Sequence, residues 1–302
     1  MTTNKIVLGT MMFGWKVSLI DAFKLVDIAL KNNIDILDTS PSYGDFISEI
    51  MCGKLISHFP ELKISTKFSI PKNVSRKKVS CTLTNLCEQS LNRLKKTTID
   101  IYVLHSDENI PPSDIFCEAI LNLKNKKLIN EFFLSNSSLN TYLKIKSFED
   151  LNKVKIIDGF QLKKNFLFSD PLLNFIDIRS DRRIFTYSPL CEGLLTAKYL
   201  INPESKIDSR FFQATKNLEY YNNLLSEENA KKVISLEAEA KEHCQSLIEY
   251  SYSSLFLSPF INKVIIGPSQ ISHLEEAIRC SEISVSKQHF PHAPVMNYLS
   301  HS

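Results

Sequence analysis

The stretch DILDTSPSYGDFISEIMCGKL, residues 35–55, starts with an apolar run that ends in a carboxylate, Asp38, and places Tyr43 just beyond it. Two more apolar runs end in residues that can hold or move a proton. KISTK (63–67) ends at Lys67, and DIYVLH (100–105) ends at His105. Short apolar runs that each end in a reactive residue are typical of buried parallel strands whose carboxyl ends form one site.

The same kind of run recurs along the chain, separated by segments of helical period. The predicted strands are IVLGT (6–10), DILDT (35–39), KISTK (63–67), DIYVLH (100–105), EFFLS (131–135), GFQLK (159–163), RIFTYS (183–188) and KVIIG (263–267). Eight strand–helix units predict an α/β fold, a (β/α)₈ TIM barrel. A doubly wound open sheet is the alternative fold.

Glycine use bears on that choice and on nucleotide binding. The chain has only 7 glycines, and none of them form a Gly-x-Gly-x-x-Gly loop. A bound dinucleotide must therefore be held without the usual Rossmann turn, which favours the barrel. The segment GTMMFGWK is not a phosphate-binding P-loop, because Trp15 stands where the lysine is required.

Composition narrows the class of protein. The 302 residues have a formal net charge of +3, no apolar stretch that could span a membrane, and 7 cysteines without zinc spacing. We expect a cytoplasmic protein with reduced thiols, a small-molecule substrate, and neither a nucleic-acid nor a membrane partner. We expect one domain over residues 1–302, with the barrel at about 5–280 and a tail at 281–302, as a monomer or weak homo-oligomer. Two histidines in the tail, 289 and 292, lack a third ligand nearby, so we predict no metal site.

Local signals predict where helices begin and where a long loop lies. Ser18 with Asp21, and Ser272 with Glu275, have the spacing of capping boxes. Proline 171 suits a first helical turn. The polar stretch from about 199 to 228 predicts a long loop after the seventh strand, on the rim where barrel loops usually carry function.

Asp38, Tyr43, Lys67 and His105 together predict a site that delivers protons. A tyrosine is a weak acid near neutral pH, and a nearby ammonium stabilises its phenolate. The carboxylate can hold the ammonium in place, and the histidine can orient a carbonyl oxygen. Each residue alone is more often structural, but their joint occurrence at strand ends favours chemistry.

These residues resemble the catalytic tetrad of the aldo/keto reductase superfamily, and the resemblance extends from LGTMMFG (8–14) to HLEEAI (273–278). It implies hydride transfer between a nicotinamide cofactor and an aldehyde, ketone or alcohol. Tyr43 would be the acid/base, Lys67 the modifier of its pKa, Asp38 the partner of Lys67 and His105 the orienting group. The expected cofactor is NADPH, with NADH not excluded.

The resemblance also implies cofactor contacts. SNSS (135–138) and GFQLKKN (159–165) resemble segments that bind the carboxamide, YSPLCEGLLTAKY (187–199) the cofactor loop, and VIIGPSQISHLEEAI (264–278) the adenosine-phosphate motif. The implied contact residues are Ser135, Asn136, Gln161, Tyr187, Ser188, Leu190, Gly193, Gly267, Ser269, His273 and Glu276. His273 stands where the family usually has glutamine or arginine, and residues 267–276 contain no evident cation for a 2′-phosphate.

Other interpretations stay open. Trp15 and Phe46 could line a substrate pocket, and packing in the core is the equal alternative for Trp15. The chain could be a nucleotide-binding regulatory barrel with little turnover. It could also be a non-redox barrel lyase that uses Lys67 as a Schiff-base amine.

Overall fold

The computed structural model describes residues 4–177, 180–198 and 222–287. Its centre is a closed barrel of eight parallel strands that pair in chain order, β8 closing against β1. The strands are β1 Ile6–Gly9, β2 Ile36–Asp38, β3 Lys63–Phe68, β4 Ile99–Leu104, β5 Ile129–Ser135, β6 Gly159–Lys163, β7 Arg183–Tyr187 and β8 Lys263–Ile266. The predicted TIM barrel is confirmed and the open sheet is excluded.

Alternation along each strand divides the apolar side chains between two cores. On β4, Ile101 and Val103 belong to the cluster inside the barrel, whereas Tyr102 and Leu104 belong to the larger core shared with the helices. Both faces of the strands are therefore buried, which explains why the sequence shows continuous apolar runs instead of a polar alternation.

The helices surround the barrel. They are α1 Leu19–Lys31, α2 Ile47–His58, α3 Val79–Leu94, α4 Ser113–Asn125, α5 Leu139–Asn152, α6 Glu227–Glu242, α7 Leu247–Phe256 and α8 Ile271–Lys287. Between β6 and β7, the described residues form only a short 3₁₀ helix, Pro171–Asn174, capped by the side chain of Asp170. The prediction of a helical turn that starts at this proline is confirmed.

The predicted helix starts had different outcomes. Ser18 caps α1 by accepting a hydrogen bond from the backbone N–H of Asp21, as predicted. The capping box at Ser272 is wrong, because α8 already begins at Ile271, which packs against the core. Helix α8 also continues to Lys287, beyond the predicted barrel end at about residue 280.

Some predictions fall on residues that the structure does not describe. Most of the loop predicted at about 199–228 lies outside the described residues, and α6 already begins at Glu227, after its cap Ser226. The tail from residue 288 onwards, with both of its histidines, also lies outside them.

The register of the parallel strands brings the candidate residues to one end of the barrel. Asp38 on β2 pairs with Ser65 on β3, and Ser135 on β5 pairs with Gln161 on β6. Lys67 lies two residues beyond Ser65, on the same face of the strand. Because all strands are parallel, their carboxyl ends meet on this rim.

Candidate active site

A buried ion pair forms the base of the site. The Lys67 Nζ lies 2.5 Å from Asp38 Oδ2, and the two side chains are only 5% and 4% exposed. The ammonium also donates to the carbonyl of Thr39 at 2.9 Å. Burial opposes the charge on Lys67, but the charge and hydrogen bonding of Asp38 and Tyr43 outweigh burial and raise its pKa. Lys67 is therefore a protonated ammonium at neutral pH.

Tyr43 lies on the loop between β2 and α2. Its backbone N–H donates to the carbonyl of Ser40 at 3.1 Å, and its carbonyl accepts from the N–H of Ser48 at 3.3 Å. The Lys67 Nζ lies 5.0 Å from the centroid of its ring. The phenol thus lies directly beside the buried ammonium, and its half-buried side chain can still be reached from the rim.

His105 follows β4 and faces Tyr43. The centroids of the two rings are 6.3 Å apart, at an interplanar angle of 83°. Burial, followed by the charge of Lys67, lowers the pKa of the His105 imidazole to about 4. The ring is therefore neutral near pH 7, with one nitrogen able to donate and the other able to accept. Ser40 Oγ lies 3.4 Å from its Nδ1.

The second oxygen of Asp38 has two partners of its own. Ser65 donates its hydroxyl to Asp38 Oδ1 at 2.7 Å, and the Gln161 amide donates to the same atom at 2.7 Å. Sequence reasoning missed Ser65. Its position two residues before Lys67 was the available signal, because alternate residues of a strand face the same side.

The loop that carries Tyr43 is anchored by a second, partly buried ion pair between Glu49 and Arg93. Glu49, fully buried in the first turn of α2, accepts from Thr66 Oγ1 and from Arg93 Nε, each at 2.6 Å. Thr66 belongs to β3 and Arg93 to α3, so one carboxylate ties α2 to the barrel and to its neighbouring helix. The aromatic ring of Phe46 lies 4.7 Å from the guanidinium carbon of Arg93.

A cavity of about 280 Å³ opens beside the tetrad, between the ends of β2 and β3 and helix α3. Its lining mixes hydroxyl, amide and aromatic groups: Ser40, Pro41, Ser42, Asp45, Phe46, Lys67, Phe68, Ser69, Leu86, Gln89, Ser90, Arg93, Tyr102 and His105. Of the two residues proposed to line a pocket, Phe46 does so here. Trp15 is 40% exposed, so it is not part of the core, and it does not line this cavity.

The residues expected to meet the carboxamide lie next to His105. Asn136 donates from Nδ2 to the carbonyl of His105 at 2.8 Å and to Ser135 Oγ at 3.3 Å. The hydroxyl of Tyr187 donates to Asn136 Oδ1 at 2.6 Å. The group on the rim therefore consists of Ser135, Asn136 and Tyr187, whereas Gln161 points to Asp38 inside the barrel.

The turn after β7 has an unusual run of backbone conformations. Ser188, Cys191 and Glu192 have φ values of 57°, 50° and 58°, and Gly193 has 91°. Leu190 precedes the short 3₁₀ helix Cys191–Thr196. Within this turn the backbone N–H of Cys191 donates to the carbonyl of Ser188, and the N–H of Gly193 donates to the carbonyl of Leu190, each at 3.0 Å. The turn lies in the segment that resembles the family's cofactor loop, and the cofactor contacts of Ser188, Leu190 and Gly193 stay predictions.

The residues expected to bind the adenosine phosphate lie at and after the end of β8. Ser269 Oγ is 3.2 Å from His273 Nδ1, Gly267 follows the strand, and Glu276 lies further along α8. Burial, followed by the charge of Lys198, lowers the pKa of the His273 imidazole. Sequence reasoning did not connect Lys198 with His273, because the two residues are far apart in the chain.

The described residues contain no cluster of three or more His, Cys, Asp or Glu that could hold a metal ion. Within residues 4–177, 180–198 and 222–287, no helix is long and apolar enough to cross a membrane.

Comparisons with known proteins agree with this geometry. The model of the Aldo/keto reductase family matches residues 5–293. The aldo-keto reductase YhdN of Bacillus subtilis is 26% identical over 185 residues, a match that spans 59% of this chain and only 54% of that protein. The uncharacterized oxidoreductase YrpG of Bacillus subtilis is 23% identical over 94% of this chain and 89% of its own length. The structure of the glycerol dehydrogenase AKR11B4 from Gluconobacter oxydans superimposes with a TM-score of 0.69 at 19% identity, covering 98% of this chain and 95% of the other.

Proposed function

We propose that this chain, which belongs to the aldo/keto reductase family, reduces an aldehyde or ketone, or oxidises the alcohol, with Tyr43 as acid and base. Family membership makes it an oxidoreductase of carbonyl and alcohol groups. The proposed acid and base role of Tyr43 rests on the buried Lys67–Asp38 ion pair beside it and on the neutral His105 that faces the same phenol.

Each tetrad residue has a role that its contacts support. Tyr43 gives its hydroxyl proton to the carbonyl oxygen, and the Lys67 ammonium stabilises the phenolate that remains. Asp38 holds that ammonium at 2.5 Å. The neutral His105 ring can donate an N–H to the same carbonyl oxygen and orient it. A bound nicotinamide would supply or accept the hydride.

The contacts of Lys67 count against a Schiff-base lyase. A Schiff-base amine must lose its proton to attack a carbonyl, and that requires a lowered pKa. Here the Lys67 ammonium is bonded to Asp38 and Thr39, and its pKa is raised. All four residues of the tetrad are present. No observation therefore favours a nucleotide-binding regulatory barrel with little turnover over an enzyme.

The residues present fit a nicotinamide dinucleotide. Amide and hydroxyl groups of Ser135, Asn136 and Gln161 suit a carboxamide, and Tyr187 offers an aromatic face beside them. The pyrophosphate is placed beside the turn at 188–193 because this segment resembles the family's cofactor loop. These contacts are proposals carried over from the family pattern.

We favour NADPH over NADH because of the group at the end of β8. Ser269 and His273 are in hydrogen-bond contact, and the positive charge of Lys198 helps to lower the pKa of His273. A hydroxyl, an imidazole and an ammonium together can bind the 2′-phosphate that distinguishes NADPH. Lys198→Met should raise the Kd for NADPH about tenfold and leave that for NADH unchanged. Lys72→Met, on the exposed β3–α3 segment, is the matched control; equal effects on both nucleotides would contradict the assignment.

The substrate is a small carbonyl compound or alcohol that enters beside Tyr43. We propose that the whole chain forms one unit and works in the cytoplasm as a monomer or weak homo-oligomer. All seven cysteines are free thiols, and Cys81 and Cys244 are exposed, which suits a reducing compartment.

Purified protein can be tested by titration with NADPH and with NADH, followed by the fluorescence of its single tryptophan, Trp15, and by calorimetry. Turnover of an aldehyde panel is then compared between the wild type and Tyr43→Phe. We expect nucleotide binding to persist in the variant while turnover falls at least about 100-fold. Unchanged turnover would remove Tyr43 from the mechanism, and failure of both nucleotides to bind would refute the proposed cofactor.

A further inference from the structure

Asp38 offers two carboxylate oxygens, and the structure uses them for different purposes. Oδ2 faces the ammonium of Lys67 at 2.5 Å. Oδ1 accepts from the hydroxyl of Ser65 and from the amide of Gln161, both at 2.7 Å. Because each oxygen has its own donors, the plane of the carboxylate is fixed in the barrel interior.

The orientation of the Gln161 amide follows from these contacts. The Asp38 carboxylate, paired with an ammonium, can only accept, so the amide nitrogen must be the atom that faces it. The same nitrogen lies 3.0 Å from Ser65 Oγ, whose own proton goes to Asp38. The nitrogen end of the Gln161 amide therefore faces Asp38 and Ser65 inside the barrel, and its oxygen remains as the group that can meet an N–H of a ligand.

The hydrogen bond from Gln161 spans the barrel. Asp38 belongs to β2 and Gln161 to β6, which are opposite strands in a closed barrel of eight. Ser65, Gln161 and Asp38 are at most 3% exposed, so water does not compete for these bonds. Gln161, one of the residues expected to bind the nicotinamide carboxamide, thus donates a hydrogen bond to Asp38, the residue that holds Lys67.

We propose that Ser65 and Gln161 are positioning residues that clamp Asp38, and that Gln161 thereby couples nucleotide binding to the Lys67–Tyr43 pair. The proposal rests on the function proposed above. Without its clamp, Asp38 is free to turn both oxygens towards the ammonium of Lys67. The ammonium then moves away from Tyr43, and the phenolate loses its stabilising charge.

The test compares Ser65→Ala, Gln161→Met and the conservative Ser65→Thr. Ser251→Ala is the control, since that buried hydroxyl has no hydrogen-bond partner among the described residues. The ionisation of Tyr43 in the nucleotide-free protein is read as the difference between each variant and the same variant with Tyr43→Phe. We expect Ser65→Ala and Gln161→Met to raise the apparent pKa of Tyr43 by about one unit. Ser65→Thr and Ser251→Ala should match the wild type.

Kinetics and binding then separate the two positioning residues. A hydrogen bond to a charged group, at its usual strength, corresponds to roughly tenfold in rate. We therefore expect kcat to fall about tenfold in both Ser65→Ala and Gln161→Met, while the Kd for nucleotide rises only in Gln161→Met. Thermal unfolding of each variant checks that the fold is kept.

The outcomes are distinct from those that test the proposed function. If the phenol of Tyr43 titrates at the wild-type pH in both variants, the clamp is refuted, even for a protein that reduces aldehydes. If the titration shifts as expected but no carbonyl compound is turned over, the clamp stands and the proposed function fails. Equal loss of nucleotide affinity in Ser65→Ala and Gln161→Met would refute the separate role of Gln161.

Discussion

Replacing Lys67 by methionine should destabilise the protein strongly, because it leaves the Asp38 carboxylate buried without its ammonium. The two charged atoms are 2.5 Å apart, and the side chains are 5% and 4% exposed. Removal of one partner from a buried pair costs about 3–5 kcal/mol of unfolding free energy. Asp38→Asn should cost a similar amount. The double variant Lys67→Met/Asp38→Asn should cost no more than either single change, since no unpaired charge remains.

Urea unfolding at pH 7, followed by circular dichroism, measures these free energies. The predicted coupling energy is at least about 3 kcal/mol. Lys63 and Asp35 provide the matched control, because their atoms are 2.7 Å apart but their side chains are 56% and 35% exposed. A double-mutant cycle on Lys63 and Asp35 should give a coupling energy below about 1 kcal/mol. If the two cycles agree, or if the Lys67 and Asp38 effects add, burial is not what makes the tetrad pair strong.

Burial and close packing determine the effect of changes at His105, Gly53 and Thr186. His105 has a folded pKa of about 4, against 6.5 for the free imidazole. Between pH 6.5 and 4 only the unfolded chain binds this proton, so the free energy of unfolding should fall by up to about 3 kcal/mol as the pH drops through that window. Urea unfolding at a series of pH values should show this slope in the wild type and lose it in His105→Asn. An unchanged slope in the variant would contradict the assignment to His105. Gly53→Ala should lower the melting temperature, because a Cβ there would lie 2.2 Å from the carbonyl oxygen of Arg93; calorimetry showing no change would refute this close packing of α2 on α3. Thr186→Val should stabilise the protein by about 1 kcal/mol in urea unfolding, since its buried hydroxyl has no partner in the described part of the chain; a loss of stability would reveal a partner for that hydroxyl.

The barrel could be predicted because its strands carry a strong local signal. Both faces of each strand are buried, so the apolar runs are continuous, and a polar residue at or just after their carboxyl ends marks the rim. Asp38 and Lys67 were placed correctly at one end of the barrel for this reason. Helix ends are less certain, as Ser272 illustrates: a capping pattern was present, but the packing of Ile271 extended the helix past it.

Contacts between distant segments could not be predicted from local pattern. The bonds of Ser65 and Gln161 to Asp38 depend on strand register across the closed barrel, which no single segment encodes. The effect of Lys198 on the pKa of His273 joins residues that are far apart in the chain, so no local pattern indicates it. For Trp15, the sequence offered two interpretations of similar weight, and its exposure in the structure excludes the core.

The most direct test of the account uses NADPH or NADH that carries deuterium at the reactive position of the nicotinamide. The labelled nucleotide is mixed with wild-type protein and each aldehyde of a panel, and the alcohol product is analysed by mass spectrometry. We predict one deuterium in the product with the wild type, and product formation reduced at least about 100-fold with Tyr43→Phe. Bound nucleotide without deuterium in any product, or labelled product formed equally fast by Tyr43→Phe, would contradict the claim that Tyr43, Lys67, Asp38 and His105 form a reductase site.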